Sequence, residues 1–533
     1  MMMPMNVLFP GWNQNKLLLI IGNVMLGIVF IVLSNVGLLP LNPVHFIFFT
    51  VVAFLCSLYR PGWMYLLFVG MVPYETVHLM PVGFKVDLRP YQWLAVVLFF
   101  AIIVRAAVNR LPFVLVRPRW FDGVLAIIPI GAFVSVLAAP DSATAFKQAM
   151  VVLSFGLVYA IARIFWQSWS DAAQAIPFFL SSSGVVFAYA LWQNLAFLAG
   201  RGGFETMAGR PNAVFSEADW LGAFALVALS VSLALVSSRR LSWRHPSTFF
   251  WGIFQIAAFV TLLISLCRSA WLGAFIAAFV TAIAMTFRRR AVGYGRAAFR
   301  TGRFVAMVSV TFLIALGLVI AFHLTPFGLF DRAHSTASGL QTITIACDHE
   351  SPTLPEKISS TSELESFGCR HINLEEIDNE RSHGAFVTEI FRDDPNIAIR
   401  QDIYAKTITI LKDHWLFGIG WGNIAMFLGT DERGAGLNAS NMFLEIWLGS
   451  GLAGLVAFCI FWIAALAWSI AHIVRSDNHA DAAVLILALW SGLTVFNSFN
   501  SGVLLGFFFL CLALIALGFE SRISKKNTII HAI

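Results

Sequence analysis

Residues 251–287 read WGIFQIAAFVTLLISLCRSAWLGAFIAAFVTAIAMTF, and Arg268 is the only charge in the run. A helix needs roughly 20 apolar residues to cross a bilayer. The run is about twice that, so it predicts two spans, 249–267 and 269–287, joined by almost no turn. Arg268 then caps a tight hairpin at the membrane boundary. A charge there is expensive and points to function. The other reading is an arginine snorkelling to lipid headgroups.

Similar runs recur along the whole chain. They predict about fourteen spans of membrane-crossing character: 17–36, 44–59, 62–74, 92–107, 122–139, 147–166, 175–199, 218–237, 249–267, 269–287, 303–323, 451–473, 482–498 and 502–519. Two of these, 44–59 and 62–74, are short and split at Arg60-Pro61-Gly62, so they also read as one broken hairpin. The chain is 59% hydrophobic and 12% charged, with mean hydropathy +0.79. Ordinary soluble chains are about 25% charged, so disorder and a soluble multidomain enzyme are excluded. The expected fold is an all-α polytopic membrane protein of about 12–14 transmembrane helices, with one large extracytoplasmic loop. Residues 1–15 lack basic side chains, and the run from Lys16 to Val36 reads as a first transmembrane helix, not a cleaved signal. No clear internal repeat is present, which disfavours inverted-repeat transporters.

Basic residues set the expected orientation. Arg105, Arg110, Arg117 and Arg119 lie in one turn, Arg239, Arg240 and Arg244 in a second, and Arg288, Arg289, Arg290, Arg296, Arg300 and Arg303 in a third. The tail adds Arg522, Lys525 and Lys526. All fall on one side if both termini are cytoplasmic. Their position beside spans explains them without nucleic acid, which is not an expected partner.

Four regions follow: helices in 1–323, an extracytoplasmic loop over 324–440, helices in 441–520, and a basic cytoplasmic tail over 521–533. Residues 331–400 hold thirteen Asp/Glu and six Lys/Arg, a balance of −7. Cys347 and Cys369 both lie in this loop, as a disulfide candidate or two free thiols. Ser351 to Ser362 reads as irregular loop. Ile397 to Leu416 places Ile399, Ile403, Ile408, Leu411 and Trp415 at helical spacing, an amphipathic helix suited to the membrane surface.

Other chemistry-bearing residues lie on the same outer side. Arg400 opens the amphipathic helix, where a solvated helix start is the plainer reading. Arg210 lies in a loop that leads to Glu217 and Asp219. Carboxylates two apart do not share a helix face, and acids favour helix starts anyway. The run Gly418-Ile419-Gly420-Trp421-Gly422 has no preceding strand and no Lys-Ser/Thr after it, so it is not a Walker loop. Gly449, Gly451 and Gly454 suit close packing or a broken helix. Glu445, one turn beyond Asn441, is expected to face a cavity. His334, His349, His371 and His383 have no metal-ligand spacing, so no metal and no cofactor are expected.

Arginines on an outer face suit a phosphate or diphosphate, which guanidinium binds as a fork. Three segments then carry a resemblance: Cys267-Arg268-Ser269-Ala270-Trp271-Leu272-Gly273, His414-Trp415-Leu416-Phe417-Gly418-Ile419-Gly420-Trp421-Gly422, and Ser440-Asn441 through Gly451-Leu452-Ala453-Gly454. They resemble the signature stretches of the O-antigen ligase/polymerase superfamily, which includes exopolysaccharide repeat-unit polymerases. Arg210-Pro211-Asn212 followed by Leu221-Gly222 is similar to its outer-loop pattern. The likeness covers roughly residues 205–460, by the order of the motifs and their common membrane face.

The resemblance implies a metal-independent, inverting, GT-C-like membrane glycosyltransferase in a bacterial inner membrane, its large loop periplasmic. The implied substrate is an undecaprenyl diphosphate-linked oligosaccharide; membrane lipids, a flippase and chain-length regulator proteins are implied partners. Arg268 and Arg400 match family arginines expected at the diphosphate, and Arg210 matches more loosely. Ser440, Asn441 and Glu445 join them as catalytic candidates. Arg210, Glu217, Asp219, His414 and Trp421 are candidate substrate contacts. The family carries His-Asn eleven residues before the first glycine of Gly-x-x-Gly, and here that place holds Ser440-Asn441. Serine cannot accept a proton as imidazole does. Polymerisation of lipid-linked repeats is therefore the first expectation, ligation of a finished glycan the second, and transport or flipping the reading from a different class.

Overall fold

The computed structural model describes residues 14–84, 87–111, 117–207, 209–238, 246–287, 294–326, 328–330, 340–349, 354–358, 361–372, 376–393, 395–430 and 436–520. The first eleven helices are α1 (Gln14–Asn35), α2 (Pro43–Tyr59), α3 (Pro61–Met71), α4 (Pro90–Ala107), α5 (Trp120–Ser135), α6 (Ser142–Phe165), α7 (Trp169–Leu198), α8 (Ala218–Ser238), α9 (Pro246–Ile264), α10 (Arg268–Phe287) and α11 (Tyr294–Ala321). After the large loop come α15 (Met442–Arg475), α16 (Ala480–Asn497) and α17 (Gly506–Glu520). This is a mainly helical membrane bundle.

Among the described residues ten helices are long and apolar enough to cross a membrane, and four apolar helices, α2, α3, α5 and α17, are shorter. Together these are the fourteen apolar segments expected, ten of them long enough to span by length and composition. α3 has 11 residues, about 16 Å at 1.5 Å per residue, against a hydrocarbon core of about 30 Å. The break is at Arg60, which closes α2 with its N–H on the Cys56 carbonyl and precedes Pro61 at the start of α3. Proline belongs at a first helical position, where its missing N–H costs nothing.

α8 runs through the centre and is buried over nearly its whole length. α1, α2, α10 and α11 instead leave Leu18, Phe48, Phe275 and Leu313 exposed. Such residues have no aqueous explanation in bulk and are the faces that lipid covers.

The turns after α1, α3, α5, α7, α9 and α16 and the large loop gather at one end, here termed the loop end. Leu41 N–H meets the Leu79 carbonyl at 3.2 Å, and Asn423 Nδ2 meets the Asp141 carbonyl at 3.2 Å. Arg105 and Arg119 lie at the opposite end, with Arg119 3.7 Å from Glu520. Arg239, Arg240, Arg244, Arg288, Arg289, Arg290, Arg522, Lys525, Lys526 and His334 lie outside the described residues.

The large loop is not wholly irregular. It holds β1 (Leu340–Cys347), β2 (Lys357–Ile358), β3 (Cys369–His371), α12 (Ile377–Ser382), β4 (Phe386–Asp393), α13 (Pro395–His414) and α14 (Ile424–Leu428). The strands form one sheet in the order β2-β4-β1-β3. Where irregular loop was expected, Lys357–Ile358 pairs with β4 and Thr361–Phe367 makes a helical turn. The alternation Ile343, Ile345, Cys347 points one face of β1 into a small core with Ile358, Leu364 and Ile390. Cys347 and Cys369, opposite each other in the β1–β3 register, are joined as a disulfide.

α13 spans Pro395–His414 and does not lie free on a surface. Ile403, Thr407 and Leu411 are buried against the bundle, while Ile399 and Ile408 face outward. Thr407 on the buried stripe hid the true face, because its polarity breaks the apolar pattern.

Candidate functional site

The α9–α10 hairpin is as tight as its sequence implies. α9 ends at Ile264 and α10 begins at Arg268. Leu266 takes a left-handed φ of 56° to make the turn. Carbonyls at a helix C-terminus lack intrahelical partners. Here Trp271 Nε1 donates to the Leu262 carbonyl at 2.7 Å. Arg210 supplies the other cap, donating Nε at 3.3 Å and Nη2 at 3.1 Å to the Ser265 carbonyl. A cation at a C-terminal helix end is favourable.

Asp219, in the first turn of α8, fixes the same arginine. Its Oδ1 lies 3.0 Å from Arg210 Nη2. Both side chains are only partly exposed, which makes this pair more ordered than a surface bridge. Glu217 precedes α8, where its carbonyl accepts from the Trp220 N–H at 3.2 Å.

A short connector that the sequence did not single out ties the hairpin to the large loop. Between α16 and α17, Asn500 Nδ2 donates to Ser269 Oγ at 2.6 Å. The preceding residue, Phe499, carries the Arg400 guanidinium over its ring at 5.7 Å. Before that, the Ser498 carbonyl accepts from Tyr404 at 3.2 Å and from Asn441 at 3.4 Å. The Tyr404 hydroxyl also lies 3.3 Å from the Ser440 carbonyl. Residues 498–500 thus touch the arginine hairpin, the start of α13 and the turn before α15. Arg210, Arg268, Arg400, Ser440 and Asn441 are all half-buried.

Burial pushes the Tyr404 phenol pKa up, while Arg400 one turn earlier pulls it down. The net shift is upward, so Tyr404 stays a neutral hydrogen-bond donor.

The Ser440 turn is built by its own neighbours. Ser440 has φ 49°, and its N–H donates to Asn438 Oδ1 at 2.8 Å. Asn441 is the N-cap of α15, its Oδ1 accepting from Phe443 and Leu444 N–H at 3.0 and 3.3 Å. Glu445 corrects an expectation. Its carboxylate does not simply face a cavity but folds back on its own turn, where Oε2 accepts the Ala439 N–H at 2.6 Å.

The glycine runs are a packing device. α15 is interrupted at Gly451, with φ 70° and ψ −178°. The 416–420 segment fills the break: Ile419 N–H bonds the Leu448 carbonyl at 2.8 Å and Leu452 N–H bonds the Leu416 carbonyl at 3.0 Å. A Cβ on Gly451 would stand 2.5 Å from the Leu416 oxygen. Irregular backbone at this depth is tolerated because protein satisfies it. Trp421 is part of the same device, its Nε1 on Ser450 Oγ at 2.9 Å. His414 ends α13 with its ring against Phe427 at 6.2 Å. Neither is brought to the 498–500 connector by these contacts.

His371 lies on β3, and His383 follows α12 with Nδ1 2.7 Å from the Asn379 oxygen. Among the described residues no three His, Cys, Asp or Glu side chains form a group that would hold a metal ion. The site can instead offer three guanidinium groups at one end of a membrane bundle.

Residues 253–459 match the family model described as O-Antigen ligase. No curated protein matches the chain. The match takes in Arg268, Arg400, His414, Trp421, Ser440, Asn441 and Glu445, and stops short of Arg210, Glu217 and Asp219. Residues 253–459 are thus similar to an O-antigen ligase domain, consistent with the O-antigen ligase/polymerase superfamily.

Proposed function

We propose that this chain is a membrane glycosyltransferase of the O-antigen ligase/polymerase superfamily that polymerises undecaprenyl diphosphate-linked oligosaccharide repeats. The observation that carries the reading is that Arg210 caps the Arg268 hairpin at Ser265, while that hairpin, through Ser269, and Arg400 both touch residues 498–500. Guanidinium groups bind phosphate oxygens in pairs of charge-assisted hydrogen bonds. In the reaction, an acceptor hydroxyl attacks the anomeric carbon, the bond from that carbon to the diphosphate breaks, and the lipid diphosphate leaves with the electron pair. Fixed cations aimed at that oxygen lower the barrier. Inversion at the anomeric carbon follows from a single displacement.

Ser440 stands where a proton-accepting histidine is the family pattern, and Glu445 is engaged by the Ala439 N–H. Leaving-group stabilisation and positioning then carry the rate, with the acceptor proton passing to solvent. The loop end faces the periplasm of a bacterial inner membrane, and both termini face the cytoplasm. A flippase would deliver the substrate and a chain-length regulator would limit the product.

Ligation of a finished glycan to another acceptor is the second reading, favoured by the description of the matching family. Transport of a lipid-linked glycan is the rival class, and the same match weighs against it. Deleting the gene and sizing carrier-linked and surface glycans separates these. A polymerase leaves single repeats on the carrier and no long polymer. Long polymer accumulating on the carrier would instead indicate a ligase. An unchanged profile in a strain making carrier-linked glycan overturns both.

A further inference from the structure

Glu75 lies in the turn between α3 and α4 and is 4% exposed. Its carboxylate is fully engaged. Oε1 accepts the Gly506 N–H at 2.7 Å. Oε2 accepts the Tyr91 hydroxyl at 2.9 Å and pairs with Arg89 Nη1 at 3.0 Å. Its backbone is engaged too: the Glu75 and Thr76 N–H groups both donate to the Val214 carbonyl at 3.0 Å. Arg89 Nε closes the cluster on the Glu75 carbonyl at 3.0 Å. Burial pushes the Glu75 pKa up, and Arg89, Gly506 and Tyr91 pull it back.

One buried residue therefore joins three segments far apart in sequence. The first is its own turn. The second is the loop carrying Arg210, reached through Val214. The third is the 498–506 connector, reached at Gly506, which bonds Ser269 and lies under Arg400. Glu75, Arg89, Tyr91 and Gly506 all fall outside residues 253–459. A buried carboxylate is costly and persists only with a complete set of partners. An apolar residue would pack the turn at less cost and keep the backbone bonds to Val214, but it would leave the Gly506 N–H without this acceptor.

We propose that Glu75 is a positioning residue: its carboxylate, held by Arg89 and seated on the Gly506 N–H, fixes the connector to a turn whose backbone N–H groups hold Val214, and so sets the spacing between the Arg210 loop and the 498–506 connector and the affinity of the arginine site for the anionic lipid-linked substrate. The affinity part rests on the function proposed above; the spacing part does not.

The test uses the full chain in lipid nanodiscs as wild type, Glu75→Gln, Glu75→Asp and the double variant Glu75→Gln/Arg89→Gln. Two readouts are taken: hydrogen exchange across the chain, and initial rates against a lipid diphosphate-linked repeat unit. In Glu75→Gln, exchange at 210–217 and 498–506 is expected to quicken at least about fivefold, with α8 unchanged. KM is expected to rise about tenfold, with kcat within about twofold, the pattern of lost binding without lost chemistry. Glu75→Asp restores part of both. If Glu75→Gln does not fold, the double variant, which leaves no unpaired charge, is read in its place. Unchanged exchange at both segments in a folded variant overturns the inference, as does quickening spread evenly through α8. Should the wild type fail to turn over the lipid-linked repeat, the proposed function falls, and the exchange arm alone decides whether Glu75 sets the spacing.

Discussion

Asn500 and Ser269 are separated by 231 residues and joined by one hydrogen bond of 2.6 Å. Ser269 follows Arg268 directly, so this bond ties the turn of the arginine hairpin to the same connector whose Phe499 ring lies under Arg400. The bond is worth about 0.5–1.5 kcal/mol net. Asn500→Ala should leave the protein folded in the membrane and lower glycan elongation about tenfold. Elongation in membranes of a deletion strain carrying the variant checks this; wild-type elongation would remove the connector from the account.

Arg210 makes a fork on Ser265 and a bridge to Asp219 that a lysine cannot reproduce. Arg210→Lys should therefore lose most activity, about tenfold or more. Asp219→Asn keeps a hydrogen-bond acceptor and should cost less. Rates for both variants and the double variant form a cycle, and the pair is coupled if their effects are not additive.

Gly451 cannot be replaced without strain, since its φ is 70° and a Cβ would crowd the Leu416 oxygen. Gly451→Ala should cost about 1–3 kcal/mol for the backbone alone, and more for the clash. Gly252, whose Cβ would meet nothing within 4 Å, is the control, and Gly252→Ala should be neutral. Thermal unfolding in detergent reads both.

The disulfide closes a loop between residues 22 apart. On the chain-entropy account that is worth about 3 kcal/mol. Cys347→Ser should make the small sheet sensitive to protease while α8 and α10 remain protected. Limited proteolysis with and without reductant tests it.

Tyr404 has a pKa raised by burial. Its contribution to stability is thus fully present below the unfolded value of about 10 and is lost as pH rises through the folded value. The elongation rate should show no step from this phenol between about pH 6 and pH 9. Tyr404→Phe should lower the rate by the same factor across that range; a factor that changes with pH would mean the phenol titrates there.

Much of this was legible along the chain. The apolar runs give the helices because hydrophobicity is a local property, and the hairpin at Arg268 follows from a single charge in 251–287. The glycines at 449, 451 and 454 signalled close packing or a break, and Gly451 is the break. The sheet has a short local signal: Thr342-Ile343-Thr344-Ile345 alternates with the period of a strand. The connector at 498–500 had none, because its partners are Ser269, Arg400 and Asn441, and nothing in Ser498-Phe499-Asn500 announces them. Glu75 was hidden for the same reason, since a carboxylate in a loop ordinarily faces water. Glu445 reads as a free carboxylate until its bond to the Ala439 N–H is known.

The most direct measurement is polymerisation by purified protein. Wild type and Arg268→Ala would be given a lipid diphosphate-linked repeat unit, and the products sized. The account predicts long polymer from wild type and none from a stably folded Arg268→Ala protein. Equal polymer from both would contradict it.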